Sequence, residues 1–274
     1  MKEKIALITG CSSGIGREIA IELNKRGVKV IATARTPEKI SDLKRKGILT
    51  EKLDVTNYPE MELLIKNLKE KNLFPDILIN NAGYGIMGAA LEVPIEKIEL
   101  EFRTNVFGAL KLAQIVGREM VKNKKGLIVN IGSVAGLLTT PFASVYSASK
   151  AAINAFTDGL RIELKPFNVK VLLVQPGAIV SKFGENALKE TTEAFPENSF
   201  YADYRDRVIR RATLSQEKAT PTTIFVKKLS NKILSKNPPP VFRFGEKSFL
   251  SFFLSKFIPA GIRDYLLGKA FGIK

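Results

Sequence analysis

Apolar residues in this chain come in two patterns. Short unbroken runs close on glycines or polar turns, and between them lie longer stretches in which apolar residues recur every three or four positions. The runs predict buried strands, and the recurrence predicts helices with one buried face. Strands are expected at 4–9, 28–34, 50–55, 76–80, 126–131 and 169–174, and helices at 18–26, 38–46, 60–71, 96–123 and 144–165. Strands joined through helices of this length pair in parallel, with the crossovers covering both faces of the sheet. The expectation is an α/β fold with a doubly wound parallel sheet.

From about Lys182 the alternation stops. Residues 182–240 are polar, helix-prone and punctuated by proline, ending in Asn237-Pro-Pro-Pro240, and the remainder is rich in phenylalanine. No repeat and no linker interrupts the chain. Residues 1–274 are therefore read as one domain: a core (1–181), a substrate-loop region (182–240) and a basic apolar tail (241–274). The apolar run after Met1-Lys-Glu-Lys4 is too short for a signal-peptide core, and no stretch reaches the roughly 20 apolar residues a membrane span needs. A cytoplasmic protein is expected.

Composition narrows the chemistry. The chain has no histidine and one cysteine. That excludes a Ser-His-Asp triad, a histidine-ligated metal, an imidazole acid or base, and a disulfide framework. Proton chemistry near neutral pH is left to Tyr, Lys, Cys, carboxylates or a cofactor. The net charge is +16, and residues 201–274 hold fifteen basic and five acidic side chains. Anionic partners are favoured, although a merely solvated basic surface reads the same way.

Between the first strand and first helix stands Thr9-Gly10-Cys11-Ser12-Ser13-Gly14-Ile15-Gly16. Small residues there let backbone approach a pyrophosphate, whose charge the helix N-terminus favours. A tight strand-to-helix turn also needs glycines, but the flanking strand, helix and second strand favour a dinucleotide cradle in a Rossmann-type fold. Cys11, with no histidine beside it, reads as a small filler residue. After the second strand the chain has Arg35 and no acid. An acid would bind a ribose hydroxyl, whereas a guanidinium pairs with a 2′-phosphate, so NADPH is expected over NADH. Arg17 is a second positive charge nearby.

Tyr146 and Lys150 stand at i and i+4 on the helix after the fifth strand, on one face. A phenol near pKa 10 needs help to exchange a proton at pH 7, and an ammonium beside it supplies that help. Ser133, just after the fifth strand, can donate to a carbonyl oxygen. The set suits hydride transfer, with Tyr146 handling the proton and Lys150 tuning it and holding the ribose.

With these motifs in order, the chain resembles the short-chain dehydrogenase/reductase family over residues 1–181. The resemblance implies that Gly10, Ser12, Ser13, Gly14, Ile15 and Gly16 contact the cofactor. It places Asp54 and Val55 against the adenine. Asn80-Asn81-Ala82-Gly83 would stabilise the central sheet and lie along the dinucleotide. Asn105 would hold a helix kink and a relay water beside the lysine. Asn105, Ser133, Tyr146 and Lys150 become the catalytic set, and Pro176, Gly177 and Ile179 face the nicotinamide. Ser181 stands where the family more often has threonine. A homodimer or homotetramer is expected by the same analogy.

A narrower likeness, in Ser149-Lys-Ala-Ala152, Glu163-Leu-Lys-Pro-Phe167, Thr220-Pro-Thr222 and Lys236-Asn-Pro-Pro239, is to NADPH-dependent 1-acyldihydroxyacetone-phosphate reductases. It implies reduction of a lipophilic ketone to a secondary alcohol. Phe183, Phe195, Phe200 and Tyr201 are candidate lining for a long chain. Arg205, Arg207, Arg210 and Arg211 either meet a phosphate or face water, and water is favoured. The tail, with Phe249, Leu250, Phe252, Phe253, Leu254, Phe257 and Ile258 among Lys247, Lys256 and Arg263, either lies in a membrane interface or packs on protein. Alternatives are a hydroxysteroid or 3-oxoacyl reductase, and, in a different class, a non-catalytic NADP-binding scaffold. No base-reading module is visible, so no nucleic-acid partner is expected.

Overall fold

A computed structural model describes residues 3–273. Met1 and Lys2 of the amino-terminal stretch and Lys274 of the tail lie outside the described residues. Seven parallel strands form one sheet in the order β3-β2-β1-β4-β5-β6-β7. They are β1 (Ile5–Ile8), β2 (Lys29–Ala34), β3 (Leu49–Lys52), β4 (Ile77–Asn80), β5 (Gly126–Ile131), β6 (Val169–Pro176) and β7 (Val241–Phe244). Leu7 pairs with Ile31 on one side and Leu78 on the other, so β1 is central. The chain runs outward from β1 through β2 to β3 and then returns to β4. A crevice opens at that reversal, above the carboxyl ends of the strands.

Alternation along the strands builds two cores. Ala6 and Ile8 face one side, where α1 (Gly14–Lys25) and the later α8 (Thr222–Ile233) cover them with Ile19, Leu23, Phe225, Leu229 and Ile233. Ile5 and Leu7 face the other side. There α2 (Tyr58–Glu70) and α4 (Gly108–Lys122) bring Met61, Leu64, Leu112, Val116 and Met120. Both faces are filled, which is why the strands read as unbroken apolar runs.

The six predicted strands are all present, with shifted ends. β6 runs two residues beyond its predicted end, and β3 begins one residue early and stops three early. The expected helix at 38–46 is a run of 3₁₀ turns, Pro37–Lys46, closed by Gly47 in the left-handed region (φ +77°). The helix expected over 96–123 is interrupted: α3 (Ile95–Phe102) and α4 are joined by a wide π turn, Arg103–Phe107. Asn105 sits in that turn and clamps Tyr84, accepting its N–H and donating to its carbonyl, both at 2.8 Å. The uninterrupted helix α5 (Ser144–Glu163) follows β5.

The stretch read as a tail does not start as one. Val241–Phe244 is the seventh strand, in register with Leu173–Pro176 of β6; Phe244 stacks on Phe225 and Phe242 packs against it at a tilt. Before it, residues 182–240 carry α6 (Phe183–Ala194), α7 (Arg205–Thr213) and α8, and after it come α9 (Ser248–Phe257) and α10 (Ala260–Ala270). Among the described residues no helix is long and apolar enough to cross a membrane.

Candidate active site

A cleft of about 630 Å³ lies over the carboxyl ends of the strands. One wall is built from the β1–α1 loop (Gly10, Ser12, Ser13, Gly14, Ile15), Arg35, Asp54 and Val55, and Asn81, Ala82 and Gly83. Its floor and far side hold Ser133, Tyr146, Lys150, Pro176, Gly177 and Ile179.

Two residues assigned from the resemblance are not on that wall. Asn105 stands behind it, in the π turn. Gly16 has turned into the packing between α1 and the segment after β4: a Cβ there would lie 2.2 Å from Asn81 Nδ2 and 2.6 Å from the Gly10 carbonyl oxygen. Gly16 therefore sets how closely the loop and helix pack, rather than lining the cleft. Gly10 does both. Its φ is +71°, and a Cβ would meet Ala82 Cα at 2.7 Å. Thr9 and Asn81 lock this arrangement. Thr9 Oγ1 accepts the Asn81 and Ala82 N–H groups at 3.0 Å, and Asn81 Nδ2 donates to the Thr9 carbonyl at 2.8 Å.

The cradle fits a dinucleotide. Ser13, the N-cap of α1, places no side chain on the helix's first N–H groups, and the first turn carries no acid. Those donors are left for an anion. At the far end of this wall Arg35 is exposed, and Lys39, which sequence reasoning passed over, lines the cleft beside it. Lys39 was hidden by its place on a solvated helical repeat. Arg17 does not contribute, because its guanidinium is paired with Asp42. Cys11 is fully buried, donates to the Ile8 carbonyl, and has its thiol pushed up to about 12 by burial, as suits a filler.

Tyr146 enters the cleft from the first turns of α5 and packs against Phe183, ring centroids 5.2 Å apart. Its hydroxyl lies near Ser133, which favours the ionised form, and Ser133 Oγ accepts the Ala135 N–H at 3.0 Å. Lys150, one turn on, donates to the Ile131 carbonyl at 3.1 Å and lies 5.8 Å from the Tyr146 ring centroid. The electrostatics differ from the expectation that the lysine acidifies the phenol. Burial dominates and pushes Tyr146 up to about 12, with Ser133 and Arg211 pulling down and Glu101 pushing up. Lys150 is itself brought down to about 8 by burial.

Behind the lysine is a buried polar cluster in which sequence reasoning assigned a role to Asn105 but not to Ser149 or Glu101. Ser149 Oγ meets Glu101 Oε1 and Asn105 Nδ2 at 3.0 Å each and the Tyr146 carbonyl at 2.9 Å, while Glu101 Oε2 accepts the Ile86 N–H at 3.0 Å. Glu101 belongs to a stretch dense in acids, where nothing in the sequence separates an inward glutamate from its solvated neighbours. Asn80 supports the sheet as the resemblance implied, donating to Asn130 Oδ1 at 2.9 Å.

On its apolar side the cleft is lined by Phe183 with Met87, Leu138 and Leu214. The other aromatic candidates do not. Phe195 and Tyr201 pack with Phe142, Tyr204 and Val208 in a separate cluster, and Phe200 is 93 % exposed.

Known proteins can be set beside this geometry. A family model described as short chain dehydrogenase matches residues 4–192. An NADPH-dependent 1-acyldihydroxyacetone phosphate reductase of Saccharomyces cerevisiae is 34 % identical over 280 aligned residues, covering 98 % of this chain and 91 % of that one. A 3-ketodihydrosphingosine reductase of Bacteroides thetaiotaomicron is 31 % identical over the full length of both. Among solved structures, a short-chain dehydrogenase from Streptomyces avermitilis superposes with a TM-score of 0.80 at 27 % identity, over 98 % of this chain and 95 % of that one. The parallel sheet, the loop after β1 and the tyrosine–lysine pair on α5 thus occur here in a chain that belongs to the short-chain dehydrogenase family and is an oxidoreductase.

Proposed function

We propose that the protein reduces a lipophilic ketone to a secondary alcohol with NADPH, the substrate being similar to 1-acyldihydroxyacetone phosphate. The observation that carries this reading is the placement of Tyr146, in the cleft with Ser133 and Lys150 and against Phe183. A phenol pushed up to about 12 keeps its proton at neutral pH, the form needed to protonate an oxygen that gains negative charge. NADPH, when bound, supplies the hydride. Ser133 and Tyr146 hold the carbonyl oxygen from one side, Tyr146 delivers the proton to it, and Lys150 keeps the tyrosine's helix against β5 and offers an ammonium to the ribose. Arg35 and Lys39 suit the 2′-phosphate that distinguishes NADPH. Asn105 and Ser149 position α5 through their shared hydrogen bonds.

The apolar side of the cleft supports a long-chain substrate. The exposed phenylalanines of α9 (Phe249 68 %, Phe257 65 %) beside Lys256 support contact with a lipid surface. Exposed Phe107, Phe156 and Ile162 around α4 and α5 support pairing with a second copy. Light scattering with and without anionic vesicles reads both.

The reaction is tested by NADPH oxidation against a ketone panel with wild type and Tyr146→Phe. Loss of the proton donor lowers kcat by about 10²–10⁴ while NADPH binding, followed by its fluorescence, persists. Equal rates in the two proteins would remove the reading.

A further inference from the structure

Helix α7 carries four arginines, and they have different fates. Arg205 lies over the Phe195 ring at 5.6 Å, Arg207 donates to the Gly272 carbonyl at 2.8 Å, and Arg210 pairs with Glu217 at 3.3 Å. Arg211 turns the other way. The inward face of α7 is marked by buried Val208 and Ala212, and Arg211 is adjacent to that face. Its Nε donates to Thr140 Oγ1 at 2.8 Å, and it lines the cleft on the side of Tyr146 and Phe183.

Among the described residues no carboxylate lies within 4.0 Å of this guanidinium, and Thr140 is its one hydrogen-bond partner. That leaves most of a five-donor fork unused on a half-buried cation. Such a group is costly unless something anionic covers it. Glu190, an acid of the same cleft wall, is already engaged: it takes the Lys97 ammonium at 2.6 Å and the Tyr84 hydroxyl at 2.7 Å. Lys182, exposed at the rim, adds a second positive charge. Burial weakens the guanidinium's hold on its proton and the Tyr146 oxygen strengthens it, which puts the two groups within electrostatic reach of each other.

We propose that Arg211 is an anion-recognising residue of the substrate pocket, so that the preferred ketone carries a phosphate or carboxylate a few bonds from its carbonyl. The planar fork matches either group through paired hydrogen bonds. Thr140 fixes its direction. The chain of the substrate then runs along Met87, Leu138 and Phe183. Amino ketones of the sphingoid type, cationic beside the carbonyl, are disfavoured at the same place. The inference rests on the ketone-reductase reading for its substrate, but its test also has an arm that does not.

The first arm measures kcat/KM with NADPH for a long-chain acyl ester of dihydroxyacetone, its phosphate, an oxo acid of similar length and a sphingoid amino ketone. Wild type prefers the anionic members, and in Arg211→Gln the ratio of phosphate to neutral ester falls about tenfold or more, mainly through KM, with partial recovery in Arg211→Lys. A preference for the phosphate without the oxo acid restricts the site to phosphate. An equal fall for all substrates overturns the proposal, because Arg211 would then act on Tyr146 and not on the ligand. The second arm needs no turnover. Dodecyl phosphate raises the melting temperature of the wild type more than dodecanol does, and the difference vanishes in Arg211→Gln. The same difference in both proteins overturns the proposal even if no ketone is reduced, whereas absent turnover with an intact difference counts only against the reductase reading.

Discussion

Replacing Glu101 with glutamine isolates the buried charge behind the lysine. The carboxyl is 0 % exposed, and burial raises it from about 4.5 to about 7, against the opposing effects of the Ile86 N–H, Ser149 and the Lys150 charge. Between these pH values the folded protein keeps a proton that the unfolded chain has released. Stability is therefore fully present below about pH 4.5, falls as pH rises, and levels off above about 7. The shift is worth on the order of 3 kcal/mol. In Glu101→Gln the amide oxygen can accept the Ile86 N–H while its NH2 faces Ser149 Oγ, whose hydroxyl keeps the Tyr146 carbonyl, so the variant is uncharged at every pH, as the acid is at low pH. Lys150 has the opposite sign. Held down to about 8, it has lost its proton where an unfolded lysine still carries one, so it adds stability as pH rises from about 8 to about 10.5. The chain has no histidine, the residue that ordinarily titrates between pH 5 and 8. Urea unfolding from pH 5 to 7.5 should show the wild type losing roughly 2–3 kcal/mol and Glu101→Gln losing less than about 1. Two parallel falling curves would refute the assignment of that loss to Glu101.

Arg35→Asp removes the guanidinium from the cleft end that faces the proposed 2′-phosphate and adds a charge that repels it. The NADPH/NADH ratio of kcat/KM should fall by about tenfold or more, and an unchanged ratio would place the selectivity elsewhere. Gly16→Ala drives a methyl to 2.2 Å from Asn81 Nδ2 and 2.6 Å from the Gly10 oxygen. It should cost about 1–3 kcal/mol in denaturant unfolding, and a neutral result would mean that the α1 packing gives way easily.

Much of the site could be read along the chain because it is made of local signals. The loop after β1 combines strand, glycines and helix within a dozen residues. Tyr146 and Lys150 share a face because a helix fixes the i, i+4 relation wherever it occurs. Asn105 was placed by motif, and the structure supplies its physical work, which is holding the backbone of Tyr84 across a wide turn. Other features have no local signature. Four residues, Val-Phe-Arg-Phe, look the same in an apolar tail and in a strand, and pairing with β6 alone makes β7. Phe183 and Phe195 are equivalent as letters, yet one meets Tyr146 and the other fills a separate cluster.

The sequence by itself determined the parallel α/β architecture, the dinucleotide cradle and the tyrosine–lysine pair, because each follows from periodicity or spacing over a few turns. The tertiary structure decided which of four arginines enters the cleft, which glutamate is buried behind the lysine, and how tightly Tyr146 holds its proton. These depend on the solvent and charge that reach a group from several elements at once, and neighbours in sequence do not report that.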